Sequence, residues 1–167
     1  MIYVPVANYA EGNLEPTRAM MTHKDCVPGL SDGGAHVGSI CDGSFPTTLL
    51  TYWTRDRTRG PRLPLAHIIR LQARETARAV GLYDRGVLKP GYRADLNVID
   101  YDNLKLHAPQ IAYDLPAGGK RLLQRASGYT ATMVAGQVTY RDGEATDALP
   151  GRLLRGAQAA PMAAAAE

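Results

Sequence analysis

The sequence has few cysteines, no long apolar run and no signal-like start, and each absence argues against a class of protein. Its 167 residues include two cysteines, Cys26 and Cys41, with no Cys-x-x-Cys pair, so no disulfide framework or zinc ribbon is expected. No apolar run reaches the roughly 18 residues that a membrane-spanning helix needs. No basic segment precedes an apolar one either. We therefore expect a cytoplasmic product with reduced thiols and no membrane partner.

The charge balance is only mildly basic, with a formal net charge of +3 and a pI near 8.9. Hydrophobic residues make up 45% and charged residues 21%, as in ordinary soluble domains. The stretch from Arg55 to Arg78, however, contains seven arginines and only two acidic residues. A solvated helix surface and a face for a polyanion both fit this excess. No interleaved aromatic residues or groove-reading motif accompany it, so a nucleic-acid partner is not expected.

One stretch combines residues that can carry chemistry, and it reads Ser31-Asp32-Gly33-Gly34-Ala35-His36. It follows the apolar run Val27–Leu30, which predicts a short buried strand. Asp32 then falls at the end of that strand, and Gly33 and Gly34 allow the backbone to turn sharply and approach a ligand. A carboxylate near the imidazole of His36 fits a metal or proton-transfer site. A simple turn is the alternative, since Asp-Gly-Gly is common turn chemistry.

Helix and strand signals divide the chain near Gly81. Before it, apolar spacing and capping residues predict three helices, over 14–22 after Asn13, over 45 to about 57 after Ser44, and over 65–80 with Gly81 as the C-cap. After it, alternation predicts a strand over 94–100 and a hairpin of 130–134 with 137–140 that turns at Ala135-Gly136. Residues 114–119 form a predicted loop rich in proline and glycine.

Four motifs in this order resemble one known family. They are the stretch 31–36, the segment Gly81–Leu96, the loop Asp114–Gly119 and the segment Pro150–Gly156. Together they are similar to the amidohydrolase superfamily, and within it to the N-acyl-D-amino-acid deacylase (D-aminoacylase) branch. The resemblance extends from about residue 1 to about residue 156.

The resemblance implies the C-terminal portion of a larger enzyme. A (β/α)8 barrel needs about 250 residues, and the early His-x-His pair of the family is absent from the four histidines here, His23, His36, His67 and His107. We therefore expect an α/β plus β fold, in which residues 1–80 supply the last strand and helices of a TIM barrel. Residues 81–156 would form part of the small composite β-sandwich domain, and 157–167 an alanine-rich tail that is helical or frayed.

Two consequences follow if the first part of the barrel is missing. The β-sandwich should have an open sheet edge, because its N-terminal contribution is absent. The apolar side chains of the helices, Leu65, Ile68, Ile69 and Val80 among them, should lack their usual partners. We therefore expect the chain to self-associate or to pack against the missing N-terminal barrel portion.

The resemblance also implies a reaction, hydrolysis of the N-acyl bond of an N-acyl-D-amino acid by a zinc-dependent enzyme. Asp32 matches the family position that contacts the metal and exchanges protons with the attacking water and the leaving amine. Gly33, Gly34 and His36 would contact the substrate, although turn glycines and a packed, hydrogen-bonded histidine fit equally well. The isolated chain is expected to be inactive. The alternative is a non-catalytic remnant or oligomerisation module, binding polyanions through Arg55–Arg78.

Overall fold

A computed structural model describes residues 9–29 and 36–162, and no helix in these two ranges is long and apolar enough to cross a membrane. Helices precede Gly81 and strands follow it, in a mixed α/β arrangement with antiparallel sheets. The helices are α1 Glu15–Thr22, α2 Phe45–Thr51, α3 Leu65–Arg70 and α4 Thr76–Ala79. The strands are β1 Leu96–Ile99, β2 Lys105–Leu106, β3 Gln110–Leu115, β4 Gly119–Leu123, β5 Ala126–Ser127, β6 Tyr129–Val134, β7 Gln137–Arg141 and β8 Glu144–Ala145.

The three predicted helices are confirmed, with one elaboration. Just before α1, the Asn13 side chain accepts a hydrogen bond of 2.8 Å from the Glu15 amide, but Leu14, and not the predicted Asn13, occupies the N-cap position. The second helix continues from α2 through a π-helical turn, Tyr52–Asp56, and the third joins α3 to α4 through another, Leu71–Glu75. The second and third helices therefore each contain one π-helical turn, in which hydrogen bonds join residues five positions apart.

The predicted strand over Val27–Leu30 is wrong for its described part. Val27, Pro28 and Gly29 adopt no strand, and Leu30 lies outside the described residues. A strand needs a hydrogen-bonded neighbour, and Pro28 has no amide proton to donate. Within the described ranges no backbone pairs with this segment.

The predicted hairpin is confirmed as β6 and β7, which pair antiparallel. Ala135 and Gly136 connect them with φ angles of 51° and 78°. Two successive positive φ values are typical of the two-residue turn that matches the twist of paired strands. The sheet has the order β1-β6-β7-β8, so β1 lies at an edge with no partner on its outer side among the described strands.

An ion cluster joins the loop after α4 to this sheet. The Arg85 guanidinium contacts Asp84 at 2.8 Å and Asp95 at 3.0 Å, and Arg93 contacts Asp95 at 2.8 Å. Asp95 also accepts a hydrogen bond of 2.8 Å from the amide of Ala135 in the β6–β7 turn. The hydrogen bond from Arg85 lowers the pKa of Asp84, because it stabilises the ionised carboxylate.

The core lies between the helices and the start of the β region. Its buried members are Leu50, Trp53, Leu63, Ile68, Leu71 and Leu104. Of the apolar side chains that were expected to lack partners, Ile68 is buried in this core, whereas Ile69 and Val80 are 49% and 68% exposed. Leu71 follows Ile68 by three residues, which places both on one side of the helix, and it is buried as well.

Gly128 allows β6 to enter this core beside Leu104. Its φ is +98°, and an added Cβ would lie 2.6 Å from Leu104 Cα and 3.1 Å from the Asp100 carbonyl oxygen. Both neighbours are backbone atoms, so only glycine fits without a shift of the chain.

The start of the alanine-rich tail is ordered by pairing and not by helix formation. Gln158 forms a parallel bridge with Leu82, with hydrogen bonds of 2.9 Å to the Gly81 carbonyl and from the Tyr83 amide. The prediction that this region is helical or frayed is therefore wrong for its first residues. Residues 163–167 lie outside the described ranges.

Candidate functional site

The central residues of the sequence motif lie outside the described ranges, and the structure describes its last residue and the turn that follows. Asp32, Gly33 and Gly34 belong to residues 30–35, which are not described. His36 is exposed, and its backbone adopts a φ of 49°. The roles of all four residues therefore stay predictions.

A tight turn, which we call the post-motif turn (residues 36–44), begins at His36. The His36 carbonyl accepts hydrogen bonds from the Ser39 amide at 2.8 Å, the Ile40 amide at 3.0 Å and the Ser39 hydroxyl at 3.2 Å. Three donors on one carbonyl hold the backbone in the left-handed conformation that non-glycine residues seldom adopt. The described end of the motif is thus fixed by its own backbone.

The β3–β4 hairpin fastens the post-motif turn to the β region. The Leu122 amide in β4 donates a hydrogen bond of 2.7 Å to the Val37 carbonyl. At the other end of the turn, the Ser44 hydroxyl donates to Gln124 Oε1 at 2.6 Å, and Gln124 Nε2 donates to the His107 carbonyl at 2.9 Å. Ser44 therefore makes no helix-capping bond, contrary to the sequence prediction, because its hydroxyl bonds across to Gln124.

A second polar contact joins α2 to the same side of the β region. The Thr47 hydroxyl and the Tyr129 hydroxyl are 2.8 Å apart, and Thr47 is buried. Thr47 is the third residue of α2, and Tyr129 is the first residue of β6. This hydrogen bond consequently fixes the position of α2 relative to the four-stranded sheet.

The β3–β4 hairpin is the feature that the sequence prediction missed. Its two strands flank Pro116–Gly118, a 3-10 turn in which Ala117 has a φ of 57°. Asp114 and Arg121 form a two-pronged ion pair across the strands, with both contacts at 2.7 Å. The hydrogen bond from Arg121 lowers the pKa of Asp114. The sequence did contain a signal for this hairpin, namely an acidic and a basic residue on opposite sides of a Pro-Ala-Gly-Gly turn.

The described residues do not supply a metal centre. Within the described ranges no group of three or more His, Cys, Asp or Glu side chains could hold a metal ion. A catalytic zinc site generally needs three protein ligands. Cys26 and Cys41 are free thiols, as predicted for a chain without disulfides. The residues described here thus do not fit a zinc ion by themselves.

Two largely apolar cavities border the segment that the sequence predicts as the strand before the motif. One, of about 160 Å³, is lined by Met21, Val27, Leu49, Ile68 and other apolar side chains. The second, of about 600 Å³, shares Val27 and Pro28 with the first and continues along α4. The walls of both are largely apolar, although Arg85 and Asp95 of the ion cluster also line the second.

Most arginines of the basic segment are already bound within the chain. Arg55 pairs with Asp56 and donates to the Leu104 carbonyl at 2.7 Å, and Arg57 is buried against Glu15. Arg70 and Arg74 both lie within 4 Å of Glu75, at 3.8 Å and 3.9 Å. Three carboxylates therefore pair with four of the seven arginines, which reduces the charge available to a polyanion.

Comparison with known proteins places these features in a family. The sequence model of the Amidohydrolase family matches residues 5–140, which is most of the chain. Two curated relatives, each a 5-methylthioadenosine/S-adenosylhomocysteine deaminase from Desulfitobacterium hafniense (strains DSM 10664 / DCB-2 and Y51), are 32% identical over 85 residues. That alignment covers 46% of this chain and 20% of each relative, so the chain spans about a fifth of the length of these curated relatives. No solved structure matches. The family match, which includes the motif and the turn that follows it, shows that the chain belongs to the amidohydrolase family.

Proposed function

We propose that the chain is the C-terminal segment of a metal-dependent amidohydrolase that hydrolyses the N-acyl bond of N-acyl-D-amino acids. The observation that carries the proposal is the family match over residues 5–140, which contains the Ser-Asp-Gly-Gly-Ala-His motif. Members of this family are generally metal-dependent. The deaminase relatives, by their names, also break a C–N bond, which fits the same class of hydrolysis.

Asp32 is the proposed catalytic carboxylate, with Gly33, Gly34 and His36 beside the substrate. One feature supports this arrangement. The motif is followed directly by a turn whose backbone is fixed at His36 and Val37, and a fixed backbone is what a reacting carboxylate needs to keep its orientation. The remaining metal ligands would come from the barrel portion that the chain lacks, because the described residues hold no group of three.

The proposed fold of the whole protein is a TIM barrel, of which residues 1–80 are the last part. Two apolar cavities border Val27 and Pro28, which form no strand here, and a neighbouring barrel segment would fill them. The open outer edge of β1 supports a composite β-sandwich completed by an earlier segment. Both surfaces are where the missing N-terminal barrel portion would pack, or where a second copy would associate.

The test is a hydrolysis assay on N-acetyl-D-amino acids with added zinc. It compares the 167-residue chain with a version extended upstream through its reading frame. We expect the extended enzyme to be active and the short chain to be inactive, because one carboxylate cannot supply three metal ligands. Zinc-dependent turnover by the short chain, abolished by Asp32→Ala, would contradict the fragment proposal.

The role of Asp32 is tested in the extended enzyme. Asp32→Asn should lower kcat by roughly 100- to 10,000-fold, the usual contribution of general acid–base catalysis. The matched control is Asp25→Asn, since Asp25 is exposed and its ion pair with Lys24 is local. A near-normal kcat for Asp32→Asn would remove this residue from the mechanism. Turnover of 5-methylthioadenosine in place of N-acyl amino acids would identify a deaminase instead.

The alternative of a non-catalytic module that binds polyanions through Arg55–Arg78 has less support. Arg57 is 2% exposed, and the Arg55 guanidinium donates to carbonyl groups of the β region. Such a module would bind heparin or nucleic acid with a steep salt dependence. Absence of an upstream His-x-His strand in the reading frame would favour it.

A further inference from the structure

A polar cavity of about 360 Å³ lies where the start of α1 meets the end of the second helix. Asn13 and Glu15 line it from the α1 side. Tyr52, Arg57 and Arg59 line it from the π-helical turn of the second helix and the segment that follows. Unlike the two apolar cavities described above, this one brings charged side chains of both signs together with open volume.

Arg57 contributes a buried guanidinium with one unused nitrogen. Its side chain is 2% exposed. Its Nε donates to the Arg59 carbonyl at 2.5 Å, and its Nη2 donates to the Glu15 carboxylate. Its Nη1 has no hydrogen-bond partner among the described residues. A buried donor without an acceptor costs free energy, so such a group in a folded protein generally binds an ion or a water molecule.

The charges around the cavity favour an anion over a water molecule. Arg57 and Arg59 supply two positive charges and Glu15 supplies one negative charge, which leaves one positive charge in excess. Arg59 is exposed, and its guanidinium donates to the Gly12 carbonyl at 3.1 Å. No carboxylate in the described ranges pairs with it. Guanidinium groups form strong hydrogen bonds to ionised oxygens, so this unpaired charge suits an oxyanion.

Aromatic rings and a glycine hold the buried guanidinium in place. Its central carbon lies 4.6 Å from the centroid of the Trp53 ring, and the Tyr52 ring meets that ring edge-on at 5.4 Å. Gly60 has a φ of 80°, and an added Cβ would overlap both the Arg57 Nη2 and the Glu15 carboxylate. Trp53 is the single tryptophan of the chain, so its fluorescence reports directly on this site.

We propose that this cavity binds a small oxyanion, carried by a carboxylate or a phosphate group, between Arg57 and Arg59. One oxygen of the ligand accepts a hydrogen bond from Arg57 Nη1, and a second oxygen accepts from the Arg59 guanidinium. Glu15 lines the same cavity, so its negative charge opposes the ligand. The site is independent of the hydrolase function proposed above, because none of these residues belongs to the motif.

The experiment is a titration of the 167-residue chain with sodium acetate and with sodium phosphate at pH 7, followed by Trp53 fluorescence. Sodium chloride keeps the ionic strength constant, so that general screening does not change during the titration. We expect a saturable change with at least one of the two anions, and the one that binds more tightly identifies the group as a carboxylate or a phosphate. No saturable change with either anion would overturn the proposal.

Three variants, each shown to be folded by circular dichroism, assign the binding to this cavity. Arg59→Gln should weaken it about tenfold or more, the scale of a hydrogen bond to a charged group. Glu15→Gln should tighten it, because the opposing charge is removed. Arg78→Gln is the matched control and should leave the affinity unchanged, since Arg78 is exposed and does not line the cavity. Unchanged affinity in Arg59→Gln, or weaker binding in Glu15→Gln, would place the anion elsewhere and overturn the site.

Discussion

The buried cation Arg57 gives the sharpest stability prediction. Its side chain is 2% exposed and its guanidinium pairs with Glu15 at the start of α1. The same group donates to the Arg59 carbonyl at 2.5 Å and lies over the Trp53 ring, 4.6 Å from the centroid. Within the described residues its Nη1 has no acceptor. Glu15 is therefore the counter-charge of a cation that cannot reach water.

The effect of Glu15→Gln on the free energy of unfolding should depend on whether residue 57 carries a positive charge. Breaking a fully buried ion pair costs about 3–5 kcal/mol, but Glu15 is 46% exposed, so solvent screens part of the interaction. We therefore expect a loss of about 1–2 kcal/mol in the free energy of unfolding. In an Arg57→Met background no buried charge remains to be compensated, and the same change at Glu15 should cost less than about 0.5 kcal/mol.

The assay is thermal unfolding by circular dichroism at one fixed protein concentration, since association shifts Tm. For a domain of this size, a loss of 1 kcal/mol lowers Tm by about 2–4 °C. Glu11→Gln is the matched control, because Glu11 is exposed and makes no ion pair in the described structure. Equal Tm losses from Glu15→Gln in the two backgrounds would refute the coupling, and so would no loss in either.

Two further predictions concern acid stability and association. The hydrogen bond from Arg85 lowers the pKa of Asp84 in the folded protein. The ion pair therefore stabilises the fold fully above the ordinary aspartate pKa of about 3.9, and this stabilisation is lost as the pH falls through the folded-state pKa. Asp84→Asn should therefore lower Tm at pH 7 and converge with the unmodified chain near pH 2, and Asp147→Asn, an exposed control, should match the unmodified chain throughout. Ile69 and Val80 are 49% and 68% exposed, so we expect the chain to self-associate at micromolar concentration in light scattering. A cooperatively unfolding monomer would contradict the barrel-fragment proposal.

Local signals in the sequence predicted the elements whose conformation is decided by nearby residues. The helix after Asn13 and the β6–β7 hairpin at Ala135-Gly136 both formed where capping and turn chemistry placed them. The strand at Val27 failed for the opposite reason, since pairing partners and not residue type decide whether a strand forms. The β3–β4 hairpin was missed because its turn carries proline and glycine, and these also mark irregular loops.

The candidate site shows the same division between local and long-range information. The motif is a local pattern, and together with the three other motifs it predicted the family from residue types alone. The contacts that fasten the post-motif turn join residues about 80 positions apart, as in the bond from Ser44 to Gln124. No spacing rule links such residues. The sequence therefore predicted a helix cap at Ser44, whereas in the structure the Ser44 hydroxyl bonds to Gln124.

That tether changes what the β region contributes to the protein. If the β strands only completed a separate sandwich, the motif would depend on the barrel alone. Instead Leu122 and Gln124 hold both ends of the post-motif turn, and Thr47 in α2 bonds to Tyr129 in β6. Displacing the β3–β4 hairpin would therefore free the turn that begins at His36. It follows that the β region after Gly81 is part of the structure that holds the post-motif turn and the start of α2 in place.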